Sequence, residues 1–342
     1  MNVSQSLINS SLTQLEATKW ASVGQIVVGI VGVVTNSLII WTIVRQAALR
    51  NNSCFVLIGQ LAFADWIVGA SFLITGIKRL IRLYCRIPEL LTQVQCGYEM
   101  FFPYFGQSAS LSLALAIGIE RFIAVAFPLK FIKQEKTIGK IIALLAWSYA
   151  IIDSGFLFYE SSSTKILPAC TVLTAGTDAF DEFQDIHKTV VIVAIMATYA
   201  LVFLTMTMQL KKAQRQNRPD LVAMKKNLQV KTARMLVVVA AVYLMLQITT
   251  RVAQALLFLL PVESRPRVGP FIRMIMIVNS DIHFFIYFSM STEFRELFKR
   301  TFGSKLSQMK TTNVSRQLPD TQGTNGTGWT NGSRVVRHSS VL

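Results

Sequence analysis

Long apolar stretches alternate with short polar connections along most of the chain. About 20 largely apolar residues, at about 1.5 Å per helical residue, cross a membrane core about 30 Å thick. Backbone N–H and C=O groups must be hydrogen-bonded within the protein in lipid, so such stretches are expected to be helices. The pattern predicts seven spans, at about residues 21–44, 55–77, 97–126, 138–159, 188–210, 232–260 and 269–290.

The sixth and seventh spans have the least regular pattern. Arg251 interrupts the sixth, and the seventh contains Arg273, Asp281 and His283. An arginine inside a span is costly and usually faces a cavity or a partner. Arg251 has two explanations at this point: it faces such a cavity, or its long side chain reaches the outer interface.

Composition agrees with a membrane protein, because 52% of the 342 residues are hydrophobic and only 15% are charged. We therefore predict an all-α membrane protein, a seven-transmembrane helix bundle over residues 20–303, preceded by an extracellular segment, 1–19. Residues 292–303 have an apolar helical face and basic flanks, which predicts a short amphipathic helix at the cytoplasmic interface; a continuation of span seven is the alternative. Residues 304–342 have no apolar period and read as a disordered cytoplasmic tail.

Most Lys and Arg residues lie in connections on one side of the seven spans, notably between Lys211 and Arg234 and after residue 292. This side is predicted to be cytoplasmic, which places the N-terminus outside. The formal charge of +16 then lies mainly beside anionic membrane lipid. The charge is divided among loops without a nucleic-acid-binding motif, so no nucleic-acid partner is expected.

The N-terminal segment has two sequons, at Asn2 and Asn9, on the side where glycosylation takes place. It lacks the basic start and apolar core of a cleavable signal peptide, so the first span is expected to direct insertion. Of the four cysteines, Cys54 is predicted to face the cytosol and the other three the oxidising side, where one disulfide can form. A disulfide between Cys96 and Cys170 would fix the loop of residues 160–187 over the helix bundle. Cys85 is a competing partner, and free buried thiols are the alternative.

Two other classes of protein fit poorly. An enzyme is not expected, because the chain has three histidines and neither an HExxH nor a GxSxG motif. Asp153-Ser154-Gly155 is better explained by helix packing than as a nucleophile site. A transporter commonly shows internal repeats and broken spans in both halves, and the sequence shows neither. No cofactor is implied.

Several short motifs occur in an order typical of one receptor family. ERF, residues 120–122, resembles the D/E-R-Y/F motif of the rhodopsin-like G-protein-coupled receptors. LAFAD, ending at Asp65, is similar to their span-two motif, and Asn36 and Trp147 match residues of spans one and four. NSDIHFFIY, residues 279–287, resembles the family motif of span seven. The resemblance covers about residues 20–303 and implies that Cys96 pairs with Cys170.

Within that family, LRNNSCFVLIGQLAFAD and GIERFIAVAFPLKF are most similar to the nematode Srsx chemoreceptor group. The resemblance implies a plasma-membrane receptor for a small molecule or peptide, with Glu120 holding Arg121 at rest and Arg121 then meeting a heterotrimeric G protein. A neuropeptide-type receptor is the alternative. The usual glutamate of span six is replaced by Gln229, so the resting lock is expected to depend on Glu120 alone.

Some positions depart from the family pattern. Tyr243, Gln247 and Thr249 stand where span six usually has phenylalanine, tryptophan and proline, so the usual kink is not expected there. Pro103 occupies the aspartate position of amine receptors, which argues against a biogenic amine ligand. Counting around spans three and six gives a polar set facing an aromatic cavity, suited to a small polar or anionic ligand or a peptide end. The candidates are Glu99, Tyr104, Gln107, Gln247, Arg251 and Gln254; mutual satisfaction without a ligand is the alternative.

The resemblance also implies a polar core at mid-bundle. Its members are Asn36, Asp65, Ser110, Asn279, Ser280, His283 and Tyr287. Related receptors hold sodium beside the aspartate, but histidine nitrogen is a poor ligand for a hard cation. We therefore expect an Asp65–His283 pair to replace sodium; a neutral, hydrogen-bonded His283 is the alternative.

Overall fold

The computed structural model describes residues 3–167 and 169–215, separate positions between 238 and 289, and residues 291, 292 and 294–303. The chain divides into two compact units, Met1–Thr301 and Phe302–Leu342. In the second unit the described residues are Phe302 and Gly303, and both are helical.

Helices dominate the described part of the first unit. They are α1 (Val3–Ala17), α2 (Lys19–Arg45), α3 (Ala47–Arg50), α4 (Ser53–Tyr84), α5 (Gln93–Ala126), α6 (Pro128–Gly155), α7 (Val172–Ala175) and α8 (Asp178–Arg215). A 3-10 turn, Phe156–Phe158, extends α6, and two short strands, β1 (Leu91–Thr92) and β2 (Ile166–Leu167), pair antiparallel with Leu91 opposite Leu167.

Five of these helices, α2, α4, α5, α6 and α8, are long and apolar enough to cross a membrane. They correspond to the first five predicted spans. Within the sixth and seventh, the described positions, such as 248, 252, 284 and 288, are helical, and the remainder lie outside the described residues. We name the two ends of the bundle by α5, which runs from the Cys96 end to the Arg121 end.

The helices extend beyond the predicted spans because hydropathy reports the apolar part of a helix and not its full length. Helix α6 begins at Pro128, ten residues before the predicted boundary, and proline fits a first helical turn because its missing N–H needs no partner there. Helix α4 continues to Tyr84. Neither α1 nor the small β1–β2 sheet was predicted.

Glycines allow the first three membrane helices to approach closely. A Cβ at Gly29 of α2 would lie 2.8 Å from the carbonyl oxygen of Gly69 in α4. A Cβ at Gly106 of α5 would lie 3.1 Å from the carbonyl oxygen of Ala64, also in α4. Helix α4 therefore meets a neighbouring backbone on two sides, the kind of contact that small residues permit between helices in lipid.

The predicted amphipathic helix is present over residues 294–303. Ser291 is not helical, and its Oγ accepts a hydrogen bond of 3.1 Å from the Phe294 N–H, which is the arrangement of an N-cap. Phe294 is buried, and Leu297 and Phe298 pack beside it on a core formed mainly by α2, α4, α5 and α6. The cap favours a separate helix over a continuation of span seven.

Candidate functional site

Glu120 and Arg121 form an ion pair at the Arg121 end. Arg121 donates from Nε to Glu120 Oε2 at 2.7 Å and from Nη2 to Oε1 at 3.3 Å. Glu120 is completely buried, whereas the Arg121 side chain is partly exposed. Neighbouring helical residues do not normally face each other. Here the arginine side chain turns back to the buried carboxylate, and a role of this pair as a resting lock stays a prediction.

Ser53 is a second partner of this carboxylate that sequence reasoning missed. Its Oγ donates to Glu120 Oε1, and its backbone N–H donates to Glu135 Oε1 at 2.9 Å. Asn52 caps α4 by accepting from the N–H of Cys54 at 3.0 Å, which fixes Ser53 in the first turn. A Cβ at Gly139 would lie 2.9 Å from Ser53 Cβ, so α6 can approach Ser53 only because residue 139 is glycine.

The mid-bundle polar core is described in part. Asn36 and Asp65 are fully buried, and Asn36 Nδ2 donates to the Gly32 carbonyl at 2.9 Å. Ser110 is half-buried in α5. The span-seven members, Asn279, Ser280, His283 and Tyr287, lie outside the described residues, so their convergence on Asp65 stays a prediction.

Trp147 joins α6 to α4. Its Nε1 donates to Gln60 Oε1 at 3.0 Å, and its ring lies 5.6 Å from that of Phe105 and 6.1 Å from that of Phe63. A buried indole usually needs a partner for its N–H, which Gln60 supplies. The contact links α6 to α4 in this chain.

The predicted disulfide between Cys96 and Cys170 is present, with the two Cα atoms 5.3 Å apart. Both cysteines are fully buried, together with Met100, in a core cluster at the Cys96 end. Cys85, the competitor, is free and exposed, and Cys54 is free and buried. The bond fixes the segment before α7 against the first turn of α5.

Ionic contacts surround this disulfide. Glu99, a ligand-site candidate, lies 2.7 Å from Lys78 Nζ and 3.6 Å from Arg82 Nη2. Arg82 also binds Glu89, whose other carboxylate oxygen lies 4.0 Å from Arg79 Nε. This outer ionic cluster, Lys78, Arg79, Arg82, Glu89 and Glu99, has three cationic groups and two carboxylates, so one positive charge is in excess. The sequence feature that could have indicated this cluster is the group of three basic residues, Lys78, Arg79 and Arg82, just after predicted span two.

The other described ligand-site candidates lie deeper on α5. Tyr104 is buried and packs edge-to-face on Phe180, with ring centroids 5.1 Å apart. Lys188 of α8 places Nζ 5.9 Å from the Tyr104 ring centroid, within the range of a cation–π contact. Gln107 is half-buried. The candidates from span six lie outside the described residues; they are Gln247, Arg251 and Gln254.

Pro103, which stands at the aspartate position of amine receptors, is buried inside α5. Helix α5 therefore has no carboxylate at the position where amine receptors have their aspartate. The nearest described acid along α5 is Glu99, and it is paired with Lys78.

The polar residues of α6 connect it to α8. Asp153 is buried, and its Oδ1 accepts from Gln184 Nε2 at 3.0 Å and lies 3.3 Å from His187 Nδ1. Ser154 Oγ donates to the Ala150 carbonyl of its own helix at 2.7 Å. These contacts support the interpretation that Asp153-Ser154-Gly155 serves helix packing.

The N-terminal helix carries one of the two candidate glycosylation sites. Asn9 is exposed on α1, whereas Ser11, two residues later in the same sequon, is fully buried. Asn2 lies outside the described residues. Exposure of Asn9 is compatible with a glycan there, and modification of either site stays a prediction.

Known proteins similar to this chain are receptors. It is 27% identical to olfactory receptor 4K14 of Homo sapiens over 169 residues, which is 48% of this chain and 50% of that receptor. It is 26% identical to the Mas-related G-protein coupled receptor member H of Rattus norvegicus over 36% of each chain. It is also 26% identical to the neuropeptide S receptor of Mus musculus, over 44% of this chain and 37% of that receptor. The chain thus spans about half the length of the first relative and little more than a third of the others.

A match to a protein family covers far more of the chain. Residues 29–302 match the family described as serpentine type 7TM GPCR chemoreceptor Srsx. The match confirms the predicted seven-transmembrane bundle and the predicted family resemblance, and it places the chain among multi-pass membrane receptors and not among enzymes. The chain belongs to the Srsx family of seven-transmembrane G-protein-coupled chemoreceptors.

Proposed function

We propose that this protein is a chemosensory receptor of the plasma membrane, with its N-terminus outside. It binds a small polar molecule in the outer half of the bundle. Binding drives a helix rearrangement that exposes Arg121 to a heterotrimeric G protein. The observation that carries the proposal is the completely buried Glu120 carboxylate, which binds both Arg121 and Ser53 at the end of the bundle predicted to face the cytosol.

The ion pair can act as a switch because its two partners differ in exposure. Glu120 is buried and fixed by α4, whereas the Arg121 side chain is about one quarter exposed. Arg121 can therefore leave the pair for a G-protein surface without first crossing a packed core. A ligand shifts this equilibrium only by the difference between its affinities for the two states.

The orientation is supported by charge. The Arg121 end carries an excess of basic residues, including Lys130, Lys133 and Lys136 in the first turns of α6, and such an excess is typical of the cytoplasmic side. The same residues lie where anionic lipid would attract them. A G protein would approach from this side.

The chemistry of the Cys96 end favours a ligand with an acidic or strongly polar group. The outer ionic cluster has an excess positive charge, and Lys188 adds a cation beside the buried Tyr104 ring. Pro103 removes the carboxylate that an amine would require. Together these residues support a carboxylate or another hydrogen-bond acceptor on the ligand.

A neuropeptide-type receptor is the second candidate, and one observation favours it. The chain matches the neuropeptide S receptor of Mus musculus over 44% of its own length. A peptide with an acidic end would use the same cationic contacts. The transporter alternative finds no support, since the family is one of receptors.

The test is a screen of small polar molecules and short peptides on cells that express the receptor with several Gα subunits, reading calcium and cyclic AMP. Any response should disappear in Arg121→Ala while the protein stays at the surface. Arg50→Ala is the control, because the Arg50 side chain is exposed at the same end and donates to the Val44 carbonyl of its own segment. A response that survives Arg121→Ala would leave Arg121 a structural role alone.

A further inference from the structure

Glu89 lies in the connection between α4 and α5, yet it is only 3% exposed. A carboxylate in such a place requires partners, because burying an unpaired charge is costly. Its carboxylate binds Arg82 through Oε1, and its Oε2 lies 3.4 Å from the Cys170 N–H and 4.0 Å from Arg79 Nε. Its own backbone N–H donates to Ser11 Oγ at 2.7 Å. One residue thus contacts the N-terminal helix, α4 and the disulfide-bonded loop.

The loop is held at Cys170 from both sides of its peptide group. Glu89 accepts from the Cys170 N–H, and Arg79 donates from Nη2 to the Cys170 carbonyl. Arg79 is itself buried. Because Cys170 is also bonded to Cys96, the loop is fixed at this point by the Arg79–Glu89 pair as well as by the disulfide.

Helix α1 docks by one face. Ser11 and Leu15, four residues apart, are buried, whereas Asn9 and Ser10 are exposed. Residues four apart lie on the same side of a helix, so the buried pair defines the docked face. A hydrogen bond from the Glu89 N–H to Ser11 joins this face to the rest of the Cys96 end.

We propose that Glu89 is a positioning residue that joins the N-terminal helix to the disulfide-bonded loop, so that the two form one outer cap. The cap is part of the ligand-entry face, and this second statement rests on the proposed receptor function. Loss of the Glu89 charge leaves one acceptor oxygen in place of two, so the contacts with Arg82 and with the Cys170 N–H cannot both be kept. The connection that presents the Glu89 N–H to Ser11 then loses its anchor, and α1 undocks.

Cysteine accessibility tests the cap on the full-length receptor at the surface of intact cells, with a membrane-impermeant maleimide as the probe. Cys85→Ser removes the exposed native thiol, and Asn9→Gln removes the sequon, so that no variant carries a glycan at this position. Ser10→Cys, on the exposed face, should label rapidly. Ser11→Cys should label at least tenfold more slowly. Adding Glu89→Gln should bring the Ser11→Cys rate close to that of Ser10→Cys and leave the latter unchanged.

A second reporter separates undocking from damage at Ser11 itself. Leu15→Cys leaves the Ser11 hydroxyl in place and should show the same acceleration with Glu89→Gln. Glu160→Gln is the matched control, since Glu160 is an exposed carboxylate in another connection and should change neither rate. If Glu89→Gln does not reach the surface, Arg82→Gln removes one partner of Glu89 and should accelerate both reporters by a smaller factor.

Two results would overturn the proposal. Rapid labelling of Ser11→Cys and Leu15→Cys with Glu89 intact would show that α1 is not docked. Slow labelling that Glu89→Gln leaves unchanged in receptor at the surface would show that Glu89 does not hold it. Labelling requires no ligand, so it tests the role of Glu89 even if the proposed receptor function is wrong. If the labelling result holds, the potency of an agonist from the screen should fall about tenfold in Glu89→Gln, and an unchanged potency would remove the cap from ligand recognition.

Discussion

Replacing Ser53 by alanine should raise the basal activity of the receptor. The change removes the hydroxyl that donates to Glu120 and keeps the Cβ that packs beside Gly139. The N–H of residue 53 still donates to Glu135, so the start of α4 keeps its other contacts. Among the described side chains, Arg121 is then left as the hydrogen-bond partner of Glu120.

The size of the effect follows from the kind of hydrogen bond that is lost. A bond to a charged group contributes about 1.5–3 kcal/mol. If the bond exists only in the resting state, its loss shifts the equilibrium towards the active state by about 10- to 150-fold. A receptor that is active about 1% of the time would become active about 10–60% of the time. Glu120 keeps its contact with Arg121, so we expect the lower end, about tenfold.

Basal calcium and cyclic AMP would be measured with the same Gα subunits and divided by surface expression. Ser154→Ala is the matched control: Ser154 is an equally buried serine, but its hydroxyl donates to a carbonyl of its own helix and touches no charged group in the described contacts. Its basal activity should equal that of the wild type. Equal basal activity of Ser53→Ala and wild type at equal surface expression would refute the reasoning, because the bond would then be the same in both states.

Three further predictions concern other parts of the bundle. Cys96→Ser and Cys170→Ser should each lower surface expression, and the double variant should be no worse than either, since both break one bond; additive losses would contradict this. Gly29→Ala should lower the free energy of unfolding of the purified receptor by about 1–3 kcal/mol, because the added Cβ meets the backbone of α4. Gly155→Ala should leave it unchanged, because the space around Gly155 is open. Agonist affinity should respond to mild acid and not to sodium, and His283→Asn should abolish the pH response; sodium sensitivity of the wild type would refute the proposed pair.

The membrane helices could be predicted because apolar length is a local property of the sequence. The first five predicted spans each lie largely within one observed helix, although the second, α4, runs seven residues further, to Tyr84. Topology favoured Cys96 with Cys170, and the family resemblance implied the same pair. Residue spacing alone had left Cys85 as a competitor.

Contacts between distant parts of the chain could not be predicted in the same way. Ser53 and Glu120 are 67 residues apart, and their meeting depends on the rotation of two helices and on the absence of a side chain at Gly139. Glu99 was expected to face a ligand, and the structure pairs it with Lys78 and Arg82. Counting around one helix gives a direction for a side chain, but it says nothing about the long basic side chains that reach it from the next helix.

The glycine contacts of α4 bear on how the chain is made. Helices α2, α4 and α5 follow one another along the sequence, and α4 meets α2 at Gly29 and α5 at Gly106. These three helices can thus pack as each leaves the translocation channel, before the rest of the receptor has been synthesised. A bulky residue at either glycine would leave unpaired helices in the bilayer during synthesis, so its first consequence would be degradation of the nascent protein.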